Sequence, residues 1–168
     1  MLDFSKIESR RKEYHQSPND LAQLLHQVLD MYHHNFEQNG FIISTSIAPD
    51  LPSLNIDAEA VTQAIVNLLD NAMKYSGDQK KIAVDLYQRD HEVILSITDQ
   101  GIGIPQPEFK KIFQKFYRVG DSLVHNTKGS GLGLSLVDHI MKVHQGKVEL
   151  ESSVGKGSTF SLIFPIFN

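Results

Sequence analysis

The sequence VTQAIVNLLDNAMKYS, residues 61–76, combines a helical apolar pattern with two asparagines four residues apart. At about 100° per residue, one stripe of this helix is apolar and predicts a buried face. Its members are Val61, Ala64, Ile65, Leu68, Leu69 and Ala72. A second stripe carries Gln63, Asn67, Asn71 and Lys74. Asn is a mediocre helix former, so this pair without a capping role indicates a ligand-binding face, the alternative being an ordinary solvated face.

Two glycine-bearing segments follow downstream. In DQGIGIP, residues 99–105, a predicted strand ends at Asp99, whose carboxylate can accept a hydrogen bond from an amino group such as that of adenine. The glycines let the backbone approach a planar ligand, although the same pattern also occurs in ordinary turns. GSGLGL, residues 129–134, enters a predicted helix whose N–H groups could receive phosphate oxygens, or forms a hinge without a ligand. It matches neither a Walker loop nor a Rossmann fingerprint.

Four further side chains suit a bound triphosphate. The carboxamide of Asn71 is a hard neutral ligand for Mg²⁺ that also keeps waters and phosphates. Lys74 and Arg118 can supply positive charge to phosphates. Tyr75 could flank a base, or be an aromatic residue at the edge of the core.

Composition limits the class of protein. A chain of 168 residues with 40% hydrophobic content predicts one globular domain with a proper core. The net charge of −4 argues against a general attraction to nucleic acid or anionic lipid. The absence of cysteine excludes disulfides and zinc-thiolate sites. No apolar run approaches the roughly 20 residues of a membrane helix, and the N-terminus lacks a signal-peptide core, so a soluble chain is expected.

Periodicity predicts the remaining elements. A helix starts after Asp20 as N-cap and stops at Asn39-Gly40, and another runs from Gly131 to His144. The predicted strands are 41–47, 82–86, 93–97, 147–153 and 158–166, the last two forming a hairpin around 154–157. Ser17 to Asp20 is predicted to be a break, 109–116 a short helical piece, and 120–129 a mobile polar stretch.

Taken in this order, the motifs resemble the ATP-binding catalytic domain of two-component sensor histidine kinases, within the gyrase, Hsp90, histidine kinase and MutL superfamily. The asparagine helix is similar to the N box, DQGIGIP to the G1 box, IFQKFYR at 112–118 to the F box, and GSGLGL to the G2 box. The resemblance covers roughly residues 20–166. It implies an α/β fold, a two-layer sandwich in which helices cover one face of a mixed sheet. Residues 17–168 would be the ATP-binding domain, and residues 1–16 the tail of an upstream dimerisation helix.

The resemblance also implies roles for individual residues. Asp99 would contact adenine, Asn71 would coordinate Mg²⁺ with Asn67 nearby, and residues 117–130 would form a lid over ATP. Arg118 and Lys74 are candidates for stabilising phosphates, and no catalytic residue is assigned. The nucleotide-binding positions carried over are Asn67, Asn71, Lys74, Tyr75, Asp99, Gly101, Gly103, Ile104, Tyr117, Arg118, Gly129, Gly131, Leu132, Gly133, Leu134 and Thr159.

The implied function is that of a Mg-ATP-binding kinase domain, which donates the γ-phosphoryl group of ATP to a histidine on a separate dimerisation domain. ATPase relatives have a glutamate general base where this chain has Asn67, and a carboxamide cannot take up a proton, which favours transfer over hydrolysis. Four histidines do not follow the acceptor pattern of the family: His15, His26, His33 and His34. Two alternatives remain open, an interaction module switched by ATP occupancy and a serine kinase similar to anti-sigma factors.

The resemblance finally implies partners and a location. The partners would be the phosphoacceptor domain of the same kinase and a response regulator downstream. The fragment would be mainly monomeric and cytoplasmic, without nucleic-acid or membrane contact. Its parent would be a homodimer that could be anchored in the inner membrane.

Overall fold

The computed structural model describes residues 13–114 and 133–167, and these build a mixed β-sheet with helices on one face. The sheet strands are β2 (Ile42–Ile47), β4 (Lys81–Arg89), β5 (Glu92–Asp99), β6 (Lys147–Ser153) and β7 (Gly157–Pro165). Their order is β2-β4-β5-β7-β6, with β2 parallel to β4 and the other pairs antiparallel. A separate antiparallel pair joins β1 (Ser17–Asn19) to β3 (Leu54–Ile56). The predicted two-layer α/β sandwich is confirmed.

The helices of the described residues are α1 (Leu21–Gln38), α2 (Ala58–Lys74) and α3 (Gly133–Val143). Aspartate caps fix two of the starts. Asp20 Oδ1 accepts the N–H of Ala22 at 3.0 Å, and Asp57 Oδ1 accepts that of Ala60 at 3.0 Å. Each bond satisfies an N–H that has no partner within the helix. At the other end of α1 the chain turns at Gly40, where φ is +76°. The predicted N-cap and stop of α1 are confirmed.

The core lies between the helices and the inner face of the sheet. All six apolar residues predicted for the buried stripe of α2 are buried. Alternate residues of the three central strands meet them from the sheet, and these are Ile82, Val84, Leu86, Val93, Leu95, Ile97, Phe160, Leu162 and Phe164. Since α2 also packs against α1 and α3, it is the central helix of its layer.

The outer face of the sheet carries polar side chains beside the apolar pair Ile94 and Ile163. Two cross-strand hydroxyl pairs lie there, Ser96 with Ser161 at 2.7 Å and Thr98 with Thr159 at 2.9 Å between oxygens. They line a shallow groove of about 630 Å³ that Glu149 and other polar residues border. Because the hydroxyls bond each other, their hydrogen bonds do not require a covering layer on this face.

Beyond residue 16, two predicted segments differ from the structure. Ser17-Pro18-Asn19 forms β1, where a break was predicted, because it pairs with β3 and Asn19 Nδ2 donates to Ile56 O at 3.1 Å. The piece predicted at 109–116 is a pair of 3₁₀ turns, Gln106–Glu108 and Lys111–Phe113, as far as it is described. The third helix is described from Gly133 onward, and Gly131, where the sequence predicts its start, lies outside the described residues. Residues 1–12 and 115–132, which carry most of the predicted helix tail, much of the F box and most of the lid, lie outside the described residues, and residues 13–16 of the predicted tail are not helical.

Candidate functional site

Asp99 ends β5 as a buried carboxylate, 5% exposed. Its Oδ1 accepts the N–H of Gly101 at 2.9 Å and that of Ser158 at 3.3 Å. Within residues 13–114 and 133–167 both of its hydrogen bonds end on Oδ1, which leaves Oδ2 for an incoming donor. Burial raises the pKa of Asp99 because it disfavours the charged form, although the two backbone hydrogen bonds oppose that rise. The Asp99 carboxylate is therefore a hydrogen-bond acceptor whose orientation is fixed by the backbone at the end of the sheet.

The loop after Asp99 rests directly on the C-terminal end of α2. Ile102 N–H donates to Tyr75 O at 3.1 Å. A Cβ at Gly101 would lie 1.7 Å from Tyr75 O, and one at Gly103 would lie 2.0 Å from Ser153 O. Both glycines thus permit two backbones to touch, a packing reason that the sequence pattern alone did not indicate.

Serines beneath this loop belong to the same cluster. Ser158 lies directly opposite Asp99 on β7, so the two side chains share one face of the sheet. Ser152 of β6 bonds Ser158, with 2.8 Å between the hydroxyl oxygens, and accepts the N–H of Ile104 at 2.8 Å. Neither serine is among the residues predicted from the sequence motifs. Strand alternation from Asp99 and the hairpin register could have found both.

Thr159 requires a correction. It is one residue beyond Ser158, and its side chain points to the outer face of the sheet, where it pairs with Thr98. Successive residues of a strand face opposite sides. Thr159 is therefore separated from Asp99 by the sheet itself, and Ser158 is the residue of this segment that shares the face of Asp99.

The polar stripe of α2 runs away from the Asp99 loop along the helix. Tyr75 caps the C-terminal end, Lys74 is exposed, and Asn71 is half-buried. Further back, Asn67 Nδ2 donates to the carbonyl of Gly133 at 3.4 Å, which brings the stripe to the first residue of α3. From Tyr75 to Asn67 the helix rises about 12 Å. The arrangement is an elongated polar track with a carboxylate at one end and a helix N-terminus at the other.

The remaining predicted site residues divide into two groups. Ile104 and Leu134 are described, and both are partly buried against the core. The others lie outside the described residues, and they are Tyr117, Arg118, Gly129, Gly131 and Leu132.

Neither a protein-built metal cage nor a membrane span is found in the described part of the chain. Residues 13–114 and 133–167 contain no group of three or more His, Asp or Glu side chains that could together hold a metal ion. None of the helices described there is long and apolar enough to cross a membrane.

The sheet covered by helices and the polar track are features that can be compared with known protein families. Residues 56–168 match the family described as histidine kinase-, DNA gyrase B-, and HSP90-like ATPase, and the chain belongs to that family. The resemblance to the catalytic ATP-binding domain of sensor histidine kinases is confirmed.

Individual relatives narrow the position within the family. The chain is 35% identical over 168 residues to the adaptive-response sensory kinase SasA of Synechocystis, covering 99% of this chain and 43% of SasA. It is 29% identical to the sensor histidine kinase WalK of Bacillus subtilis, covering 98% of this chain and 27% of WalK. The chain thus spans less than half the length of these relatives.

Solved structures show the same architecture. A mycobacterial sensor histidine kinase, MprB, superposes with a TM-score of 0.75 at 27% identity, covering 89% of this chain and 97% of that chain. Full-length ShkA in complex with AMPPNP superposes with a TM-score of 0.83 at 25% identity, covering 98% of this chain and 34% of ShkA.

Proposed function

We propose that residues 17–168 form the Mg-ATP-binding catalytic domain of a sensor histidine kinase, which transfers the γ-phosphoryl group of ATP to a histidine on a separate dimerisation domain. The observation that carries this proposal is the buried carboxylate of Asp99, whose Oδ2 is left for a ligand beside the end of the asparagine helix. The names of the relatives, sensory kinases of greater length, agree with a catalytic domain that works as part of a longer protein.

The base of the nucleotide would bind at the Asp99 end. An exocyclic amino group carries the protons that a carboxylate oxygen accepts. Because the carboxylate is largely shielded from water, a bond to it is worth more than the same bond on the surface, and a base without a donor there would leave it unpaired. Adenine supplies such an amino group, which supports ATP as the ligand.

The phosphates would bind at the other end of the track. The N-terminus of α3 begins at Gly133, which the side chain of Asn67 contacts, and the N–H groups of a helix start attract anions. Lys74 is exposed on the same stripe of α2 and would supply positive charge. Arg118, the other predicted cation, lies outside the described residues.

The residues present also fit a magnesium ion. Asn71 is half-buried, and within residues 13–114 and 133–167 no hydrogen bond occupies its side chain, so its carboxamide oxygen can serve as a ligand. With no carboxylate or histidine cluster there, such an ion would depend on phosphate oxygens and water for its other ligands, as Mg²⁺ commonly does. When bound, it would neutralise charge on the phosphates.

Asn67 supports transfer in preference to hydrolysis. Its carboxamide cannot act as a general base toward water at neutral pH, and its Nδ2 is engaged by Gly133 O. In the proposed reaction the bond between the γ-phosphorus and the bridging oxygen breaks, a bond to an imidazole nitrogen forms, and ADP leaves. The imidazole proton passes to water.

The partners follow from the same proposal. They are the dimerisation and phosphoacceptor domain of the parent kinase and a response regulator downstream. The domain itself would act in the cytoplasm as a monomer, attached to a homodimeric parent that could carry a membrane anchor.

Transfer in trans tests the proposal. The chain is mixed with γ-labelled ATP, Mg²⁺ and a purified dimerisation domain bearing a histidine, taken from a sensor kinase of this family. We expect label on that domain that is lost in acid and retained in alkali, as for phosphohistidine, and no label when its histidine is changed to Gln. Acid-stable label would indicate a serine kinase, and ATP binding without transfer to any tested domain would indicate an interaction module; either result contradicts the proposal.

A further inference from the structure

The hydroxyl of Ser152 lies where three segments of the chain meet. Its Oγ accepts the N–H of Ile104 at 2.8 Å, donates to Gly157 O at 2.9 Å, and lies 2.8 Å from Ser158 Oγ. A hydroxyl has one proton and two lone pairs, so these three neighbours use its full capacity. Ser152 therefore connects the loop after Asp99 to both strands of the terminal hairpin.

The same three bonds fix the direction of a proton. The N–H of Ile104 can only donate and the carbonyl of Gly157 can only accept, so the single proton of Ser152 goes to Gly157. The bond between the two hydroxyls must then be donated by Ser158. With its proton used in this way, Ser158 presents only lone pairs in its remaining directions.

This orientation matters because Ser158 is the cross-strand partner of Asp99. The two side chains share one face of the sheet, and Ser158 N–H also bonds Asp99 Oδ1. Both are buried, 6% and 5% exposed. Asp99 and Ser158 thus carry acceptor oxygens on the same face of the sheet, and two acceptors there suit a ligand edge that carries hydrogens.

Three hydrogen bonds between described residues anchor the loop that borders these acceptors. Ile102 N–H bonds Tyr75 O at 3.1 Å, and Gly155 N–H bonds Ile102 O at 2.7 Å. Both are backbone to backbone and independent of residue type. The third anchor, Ile104 to Ser152, depends on a side chain and lies closest along the loop to its exit. A substitution at Ser152 therefore acts on the loop and on Ser158 together.

We propose that Ser152 is a positioning residue for base selectivity: by accepting the proton of Ser158 it keeps Ser158 Oγ an acceptor on the face that carries Asp99, so that the site favours a 6-amino purine over a 6-oxo purine. This inference rests on the proposed binding of a purine triphosphate at Asp99. Ser152 does not itself touch the base. A 6-oxo group placed against two acceptors would meet no donor, and such unpaired buried polar groups are what give polar sites their discrimination.

Ser152→Ala provides the test. Without the Ser152 oxygen, the Ser158 proton is free to turn toward the ligand, where it can donate to a 6-oxo group. The dissociation constants of ATP and inosine triphosphate are measured by calorimetry on the full chain. We expect the wild type to prefer ATP, and the preference to fall by about tenfold in the variant, mainly through tighter binding of inosine triphosphate.

Two matched variants control for general damage. Ser152→Thr keeps the hydroxyl and should restore most of the preference. Ser153→Ala removes a neighbouring hydroxyl that is exposed and faces the other side of the strand, and it should leave the preference unchanged. If Ser152→Ala does not fold, Ser152→Cys, of similar shape but weaker hydrogen bonding, must shift the preference in the same direction by a smaller factor.

The outcomes separate this inference from the proposed function. Equal losses of ATP and inosine triphosphate affinity, or an unchanged preference, would overturn the positioning role. Absence of triphosphate binding by the wild type would overturn both proposals. Failure of phosphoryl transfer with the base selectivity and its dependence on Ser152 intact would count against the proposed kinase function alone.

Discussion

At the scale of single residues, we expect the ionised carboxylate of Asp99 to lower the stability of the fold and to strengthen ligand binding. Its pKa in the folded chain is raised above the ordinary value of 3.8 because burial disfavours the charge. A raised pKa means that its favourable contribution to folding is present in acid and is lost as pH rises through the folded pKa. The ionised carboxylate therefore costs stability at neutral pH, a cost that the proposed recognition of the base would explain.

We expect Asp99→Asn to separate these two effects. The free energy of unfolding is measured in urea between pH 4 and pH 8. The value for the variant should increase relative to that of the wild type as pH rises. ATP affinity should fall by at least about tenfold, because the amide would present an N–H group to the amino group of the base. Asp78→Asn, at an exposed carboxylate, is the control and should change neither quantity. A wild type that gains stability relative to Asp99→Asn as pH rises would contradict a raised pKa at Asp99.

Asn71 can be tested through magnesium alone. For Asn71→Ala we expect the tightening of ATP binding by Mg²⁺ to fall by about tenfold, because one protein ligand is removed from an ion that has few of them. Titrations with and without EDTA measure this ratio. Gln63→Ala, on the same stripe of α2 but two turns earlier, should retain it. Equal Mg²⁺ sensitivity of wild type and Asn71→Ala would remove Asn71 from the metal role.

At the scale of elements, the contact between the Asp99 loop and the end of α2 depends on the lack of a side chain at Gly101. A Cβ there would lie 1.7 Å from Tyr75 O, a backbone atom that cannot rotate away. We expect Gly101→Ala to lower the free energy of unfolding by about 2–3 kcal/mol. Gly77→Ala is the contrasting case: φ is +67° but no atom lies within 4 Å of the added Cβ, so about 1 kcal/mol is expected. If both variants lose a similar free energy of unfolding in urea, the loop after Asp99 can move to accommodate the added Cβ, and the prediction is wrong.

Elements differ in how far the sequence predicts them. The long helices and central strands are specified by periodicity within each segment, and α2 follows its predicted stripe throughout. The strands β1 and β3 have only three residues each and are held by pairing with each other, so no local pattern indicates them. The site shows the same limit. Asp99 is marked by its motif, whereas Ser158 joins it through a register between strands 59 residues apart, which also places Thr159 on the outer face.

For the whole molecule, one buried histidine, His144, lies in a cluster that joins the backbone at His15 to two helices. His144 is 4% exposed, and its Nδ1 lies 2.8 Å from Ile140 O while Nε2 accepts the N–H of Asp57 at 2.9 Å. The tautomer with a proton on Nδ1 satisfies both bonds. Asp57 in turn caps α2 and accepts the N–H of His15 at 2.8 Å. The entry of the chain, the start of α2 and the end of α3 thus meet at one cluster.

We expect His144→Ala to cost about 2–3 kcal/mol in urea unfolding, because it removes a buried ring and both of its hydrogen bonds. His26→Ala, at an exposed position of α1, should stay within about 0.5 kcal/mol of the wild type. Amide exchange locates the damage: the N–H groups of His15 and Ala60, both bonded to Asp57, should exchange faster in His144→Ala by more than the global loss of stability explains. Unchanged relative protection at these two amides would mean that Asp57 holds the chain entry to α2 without help from α3. In that case, among the described residues, α3 would not contribute to the link between His15 and α2, and the two helices that border the polar track would be linked to His15 through α2.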